Sequence, residues 1–320
     1  MRVADLPHLL AVEHETEHLT NLGDLTYSNR TLHHPDFTCH VDEHGMRKLG
    51  RYLRVPITYL EKCPPDLQAH NINHWLQATP GAQTRVHVLN GLLTGINPRE
   101  KTPLGVTHIT AALQAAHHHD DPITGILYDG ETLIADITSP LPIPHHGHTL
   151  HYGTRTTLHP HNPTPPTVQT LIHWPDTGAN LTLDEPDGTT PLRDTTQGVT
   201  EELAATIRRI LTRAPEHHTT IQTATTTPLD TDPADTIAAI TRTFRLPNRV
   251  AQHLHTAATN NHPTTPYQLA HTIAHAAQHR MTTKTRHHLQ HIAGTTTTDP
   301  NHNPRNCPTC RTRETPTWSH

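Results

Sequence analysis

Apolar patterning changes at Gly198, and that change limits the fold more than any other feature of the chain. Before it, apolar residues come in short runs broken by glycine and proline. After it, they return every three or four residues over longer stretches, the period of a helix with one buried face. In the first part, ITGILYDGETLIADI reads as a hairpin about Asp129-Gly130, a pair suited to a tight two-residue turn. DLTYSN and DFTCHV, divided by a His-His-Pro break within residues 24–41, read as two strands. TRVHVLNGLLTGINP is strand-like, with Gly91 and Gly95 marking bends, and TLHYGTRTTL, TVQTLIHW and ANLTLD follow as further strands.

Helices are interleaved with these strands. Met46, Leu49 and Leu53 recur at helical spacing, with Arg47, Lys48, Arg51 and Arg54 on other faces and Pro56 as a boundary. LQAHNINHWLQ offers Leu67, Ile72, Trp75 and Leu76 as an apolar set, and THITAALQAAHHH is amphipathic. Beyond Gly198, TEELAATIRRILTRA, PADTIAAITRTF, PNRVAQHLHTAA, TPYQLAHTIAHAAQH and TKTRHHLQHIAG all read as helices. A Thr-rich connector is expected from Pro215 to Asp232, and a disordered tail after Gly294. The expected fold class is α+β: a mixed, mainly antiparallel sheet body with flanking helices over 1–198, a helical C-terminal portion over 199–294, and a tail over 295–320.

Composition makes the core lean. Only 32% of residues are hydrophobic, 3% are aromatic, and 29 prolines interrupt the chain. No apolar run is long enough to span a bilayer, so no membrane partner is expected. The first residues lack a cationic start followed by a long apolar run, so no leader is expected. Four cysteines suit a reducing, cytoplasmic setting better than a disulfide framework. The codons of the abundant His, Thr and Pro are rich in A and C, which makes mutational drift the simplest source of the 34 histidines.

That abundance bears on the most enzyme-like word in the chain. His14-Glu15-Thr16-Glu17-His18 matches H-E-x-x-H, in which two histidines on one helix face hold zinc and the glutamate activates a bound water. Asp24 falls where an extended form of the pattern places a third ligand. With 34 histidines a chance match is unsurprising, and the sheet that such a site needs would have to come from later in the chain. The competing reading is the polar face of a short helix. His271, His275 and His279 share a helix face, and HHGHTLH at 145–151 is another cluster; both read as solvated or low-complexity features. Cys307-Pro308-Thr309-Cys310 is a zinc-knuckle pattern, for which His302, His320 or a second subunit would complete the ligand set. Zinc at Cys307 and Cys310 is the one cofactor expected.

Gly45 to Leu76, through Leu53-Arg54-Val55-Pro56, Tyr59-Leu60, Cys63-Pro64 and Asn73-His74-Trp75-Leu76, resembles the phage- and plasmid-borne family catalogued as domain of unknown function 932. His271-Thr272-Ile273-Ala274 and Ala293-Gly294 are similar to its closing helices, while the segment Thr94 to Arg99 departs from the family pattern. The resemblance implies a mobile-element origin and a role in replication, recombination or defence. It implies no chemistry and no catalytic residues.

Charge completes the reading. From Thr241 to Arg313 nine basic residues face Asp299 alone, a net of +8, which leaves −13 on the rest of a chain of net charge −5. A basic segment of this kind suits nucleic acid, or else docks on its own acidic body. The leading expectation is a non-enzymatic, nucleic-acid-associated protein, contacting DNA, and single strands before duplex. Its phosphate contacts would be Arg47, Lys48, Arg51 and Arg54, together with Arg242, Arg245, Arg249, Lys284 and Arg286. The alternative for each is a solvated helix surface. A helix-turn-helix over LGRYLRVPITYLEK ranks lower because Pro56 intrudes. The other classes are a zinc-dependent hydrolase using His14, Glu15, His18 and Asp24, and a partner-binding or homo-oligomeric protein using the C-terminal helices.

Overall fold

The computed structural model of the chain describes residues 1–298 except 11–13, 102, 130, 146–147, 192–194, 231 and 279–280. Cys307, Cys310, His302 and His320 lie outside the described residues, as does His279. The fold is α+β, with two mostly antiparallel sheets and helices that dominate the C-terminal part. The chain divides into two units that are not consecutive in sequence. One comprises Met1–Ala135, Thr156–Thr167 and Thr189–Arg208; the other comprises Asp136–Arg155, Val168–Gly188 and the remainder from Arg209.

The first unit starts with the short α1 (Leu6–Leu9), then β1 (Glu15–Asn21), β2 (Thr26–Ser28), β3 (Thr31–His34) and β4 (Phe37–His40). Three strands therefore stand where two were expected over 24–41, because the His-His pair belongs to β3 and the turn falls at Pro35-Asp36. Next come α2 (Glu43–Leu53), α3 (Ile57–Leu60), α4 (Pro65–Ala78), β5 (Gln83–Leu89), β6 (Leu92–Pro98), α5 (Val106–Ala116), β7 (Ile123–Tyr128) and the start of β8 (Leu133–Thr138), its hairpin partner. The six-stranded sheet runs β1-β5-β6-β4-β3-β2. The β5–β6 turn is Asn90-Gly91, with both residues at positive φ (51° and 78°), the backbone of a tight hairpin turn.

Local chemistry sets α2. Asp42 caps it by accepting a bond of 2.8 Å from the Gly45 N–H. Met46, Leu49 and Leu53 enter a core with Leu32, Val86, Leu93 and Ile96. Arg54 ends the helix in the left-handed region at φ 58°, and Pro56 precedes α3. Each fully buried aliphatic side chain here contributes about 1.5–3 kcal/mol. On α4 only Ile72 and Leu76 are buried; Leu67 and Trp75, expected in the same apolar set, are 45% and 46% exposed. Asn73 of α4 completes the edge strand β2, accepting from the Tyr27 N–H at 2.7 Å and donating to its carbonyl at 2.9 Å.

The second unit continues from Asp136 in β8 with β9 (Ile143–His145), β10 (His148–Leu158, to Arg155), β11 (Thr167–Trp174, from Val168) and β12 (Ala179–Leu183). The strands lie in the order β12-β11-β10-β8, with β9 on β10. Of α6 (Thr196–Leu211), residues through Arg208 belong to the first unit; α7 (Ala214–Thr226), α8 (Pro233–Thr243), α9 (Asn248–Asn261), α10 (Pro266–Ala276) and α11 (Thr283–Thr298) belong to the second.

Two expectations are corrected here. The Thr-rich stretch after Pro215 is mostly helix α7, because Ile221 and Ala224 bury one face in the core around Trp174, Leu254, Leu269 and Ile292. The chain also stays helical past Gly294 to Thr298, with threonine hydroxyls returning bonds to carbonyls one turn back. A Cβ at Gly294 would stand 1.9 Å from the Thr182 carbonyl oxygen, so this contact of α11 with β12 admits only glycine.

Beneath these helices, Arg155 is held along the Nε–Nη2 edge of its guanidinium, while its buried Nη1 has no hydrogen-bond partner among the described residues. Its Nε and Nη2 donate to the two Asp136 carboxylate oxygens at 2.6 and 2.5 Å, and Nη2 also donates to Gln290 at 2.7 Å. Asn180 donates to the same carboxylate at 3.3 Å. Among the described residues no helix is long and apolar enough to cross a membrane.

Candidate functional site

A cavity of about 630 Å³ opens in the first unit between α2, the C-terminal end of α4 and β6, with residues 161–163 forming another part of its wall. That volume suits a nucleotide-sized or drug-sized ligand. Lys48, Arg51 and Arg54 line it, along with Tyr52 and Trp75 and the polar Asn97, His161 and Asn162; no carboxylate residue among the described residues does. The α2 geometry brings the cations together. Lys48 and Arg51 are three residues apart, on one side of the helix, and Arg54 stands at its left-handed C-terminus.

The cations differ in setting. Arg51 and Arg54 are exposed, and no carboxylate among the described residues pairs with either. Lys48 is 7% exposed, and its Nζ donates one long bond, 3.3 Å, to the Pro160 carbonyl. Burial lowers the Lys48 pKa, an effect that Arg51 reinforces and that Glu131, Asp129 and Asp42 oppose through space. Trp75 is half exposed at the rim, edge-on to His74 with ring centroids 5.5 Å apart.

Behind the cavity wall sits a buried histidine pair. His161 is in the left-handed region at φ 59°, and Asn97 fixes its carbonyl with a bond of 2.8 Å. Gly95 makes room for it, since a Cβ there would lie 2.4 Å from the Cβ of His161. The His161 and His87 rings are tilted with centroids 4.9 Å apart. Burial, and then the neighbouring His87, holds His161 well below the usual imidazole range. Burial likewise depresses His87 to about 4, against the opposing pull of Glu17 and Glu15. Carboxylates face both rings: Glu17 Oε2 lies 3.8 Å from His87 Nδ1 and Glu15 Oε1 3.2 Å from His161 Nε2.

These neighbours decide the fate of HETEH. Residues 15–18 belong to strand β1, paired with β5, and are not helical as expected. His14 lies in the turn before the strand and His18 within it, so the single helix face that the motif requires for its two histidines does not form. Glu15 instead caps α5, accepting from the N–H groups of Val106 and Thr107 at 2.8 and 2.9 Å and from the Thr107 hydroxyl at 2.6 Å. His18 stacks on Phe37 with centroids 4.1 Å apart, and Asp24 accepts from Asn21 at 3.0 Å. Among the described residues no group of three or more His, Cys, Asp or Glu is arranged to hold a metal ion. The zinc knuckle expected at Cys307 and Cys310 falls outside the described residues.

The other expected phosphate contacts separate. Arg47 pairs with Glu43 one turn away and does not line the cavity. Lys48, expected as a phosphate contact with a solvated helix face as the alternative, is buried where its Nζ meets the Pro160 carbonyl. Arg242, Arg245 and Arg249 are exposed at the α8–α9 junction of the second unit, where Arg242 Nε donates to the Ala238 carbonyl at 3.3 Å. Arg286 is half-buried, and the Lys284 side chain lies outside the described residues. Tyr52, Trp75, Asn97 and His161 are site residues that the sequence reading passes over. For Trp75 a signal exists: it sits about 100° around the helix from Leu76, on the flank of the buried stripe. Comparison with known proteins gives no match: no family model, no curated protein and no solved structure matches the chain.

Proposed function

We propose that the protein binds single-stranded nucleic acid through the α2–α4 cavity, without acting on it as an enzyme. One observation carries this reading: exposed Arg51 and Arg54 share a carboxylate-free cavity with Tyr52 and Trp75. Arginines neutralise phosphates, and an exposed indole gives an unstacked base a π-face, so cations and rings side by side favour a single strand over a duplex. The exposed Arg242, Arg245 and Arg249 add a second basic surface, in the other unit. The setting proposed is a phage or plasmid, with an accessory role in replication, recombination or defence; it rests on the resemblance over Gly45–Leu76 alone, and no family model matches the chain.

The test is fluorescence anisotropy of labelled single strands and of the matching duplex at two salt concentrations. The expected result is preferential single-strand binding that weakens with salt. Neutralising two or three phosphates gives a log–log slope of about −1.4 to −2. Trp75 emission should be quenched on binding. Binding that ignores salt, or no binding at low salt, overturns the proposal.

A further inference from the structure

Among the described residues, the Lys48 ammonium, the buried His87–His161 pair and the exposed arginines of the α8–α9 junction are polar groups that the site above does not fully explain. Lys48 carries an inference furthest. An ammonium has three donors, and this one spends a single long bond of 3.3 Å on the Pro160 carbonyl while lining the cavity. No carboxylate among the cavity-lining residues neutralises it. Glu131, Asp129 and Asp42 favour its charged form without an ion pair to it among the described residues. A cation 7% exposed is costly to desolvate, and a phosphate held on it would offset that cost.

Depth separates Lys48 from the other two cations. Arg51 and Arg54 are exposed and mark the rim, whereas Lys48 is buried in the inner wall. A phosphodiester within a strand is tethered on both sides, and its chain must leave in two directions, which suits the rim. A terminal phosphate monoester is tethered on one side only and can enter the cavity. It also carries a charge of about −2 and three free oxygens, where an internal diester carries one charge and two. Resting on the single-strand reading above, we infer that Lys48 is the seat for a terminal phosphate monoester, and that the cavity holds a strand by its phosphorylated end.

Burial and the neighbouring His87 disfavour a charge on His161, which also lines the cavity and sets its Nε2 3.2 Å from Glu15 Oε1. Asn162, which also lines the cavity, is a polar group at the same wall. The step involves no bond making or breaking; it is recognition of an end.

The experiment compares one short DNA strand in four forms: 5′-phosphorylated, 3′-phosphorylated, phosphorylated at neither end, and circularised so that it has no end. Affinity is measured by anisotropy with an internal label. A charge-assisted hydrogen bond of ordinary strength makes the expected preference for a phosphorylated end roughly tenfold or more. Comparison of the 5′ and 3′ forms assigns the polarity, and preference for either supports the inference. Lys48→Met should bring the ratio of phosphorylated to unphosphorylated affinity to about one. Lys48→Gln, which keeps a donor for the Pro160 carbonyl, should do the same, and a melting curve checks that each variant is folded. Equal binding of all four forms by the unaltered protein overturns this inference and leaves single-strand binding standing. So does a preference that survives in both variants. Absence of binding by every form overturns both.

Discussion

Lys48 and Arg155 are both cations withdrawn from water, one in each unit, and their surroundings are opposite. Arg155 has a carboxylate across its Nε–Nη2 edge and a glutamine amide besides, all within 2.7 Å, with only Nη1 left without a partner among the described residues. Lys48 has one carbonyl at 3.3 Å and an open cavity, with Glu131, Asp129 and Asp42 acting on it only through space. A buried charge matched by the chain itself belongs to the fold, and removing one partner strands the other. A buried charge left half-matched beside a cavity has donors to spare for something that arrives later. The contrast separates a structural cation from a binding one, and it can be broken at either end.

The largest effect is expected at Arg155. Arg155→Ala leaves the Asp136 carboxylate buried without its partner, and loss of about 3–5 kcal/mol of unfolding free energy is expected in urea denaturation. Arg155→Met with Asp136→Leu, which removes both charges at similar volume, should recover most of that loss. Lys48→Met should behave differently, leaving the urea midpoint unchanged or raised. If Lys48→Met destabilises the protein as much as Arg155→Ala does, the distinction between the two cations fails.

Next in size is the ring at the cavity rim. Trp75 is 46% exposed, so its truncation removes little of the core. Trp75→Ala should cost about 1–3 kcal/mol of single-strand affinity, the range for one base stacked on an aromatic side chain. It should leave the melting temperature within about 2 °C, as surface changes usually do. The converse is expected of Trp174, which is 1% exposed and donates to the Tyr267 hydroxyl at 2.8 Å. There truncation should lower stability by about 3–5 kcal/mol. A Trp75→Ala variant that melts early but binds normally would place that indole in the fold and outside the site.

Elements differ in how far the sequence reveals them, within a unit as well as between units. Helix α2 is legible because its determinants are local: Asp42 as cap, Met46, Leu49 and Leu53 at helical spacing, Pro56 as boundary. The Asn90-Gly91 pair carries the turn of the β5–β6 hairpin as openly as Asp129-Gly130 signals the next one, although reading Gly91 as a bend understates it. Strand β1 is not legible. Its residues ETEHLTN have little apolar alternation, and its conformation comes from pairing with β5, nearly seventy residues away. Helix α7 hides for a related reason: threonine is a poor helix former, and burial of Ile221 and Ala224 overrides that preference. In the site, Arg51 and Arg54 follow from the pattern of α2. The depth of Lys48 does not, because it depends on a chain segment 112 residues further on.

The smallest effect concerns a third charge, Glu185, matched by its own unit as Arg155 is. Its carboxylate side chain is 2% exposed and accepts from the Thr170 hydroxyl and His217 Nε2, both at 2.6 Å, and from Arg213 Nη1 at 3.1 Å. Burial alone would raise its pKa, but the bonds from His217, Thr170 and Arg213 outweigh burial and hold it below the ordinary value of 4.5. A carboxylate whose pKa is depressed by folding stabilises the folded state above its unfolded pKa. That contribution is lost as pH falls through the folded value. Wild type should therefore melt above Glu185→Gln at pH 6, and the gap should narrow below pH 4.5 as the wild-type carboxylate takes up its proton. Lys48→Met should leave the size of that gap unchanged at both pH values, since Lys48 is not among the groups that act on Glu185. A gap that stays constant down to pH 3 would mean that Glu185, like Lys48, carries a charge that the fold itself does not use.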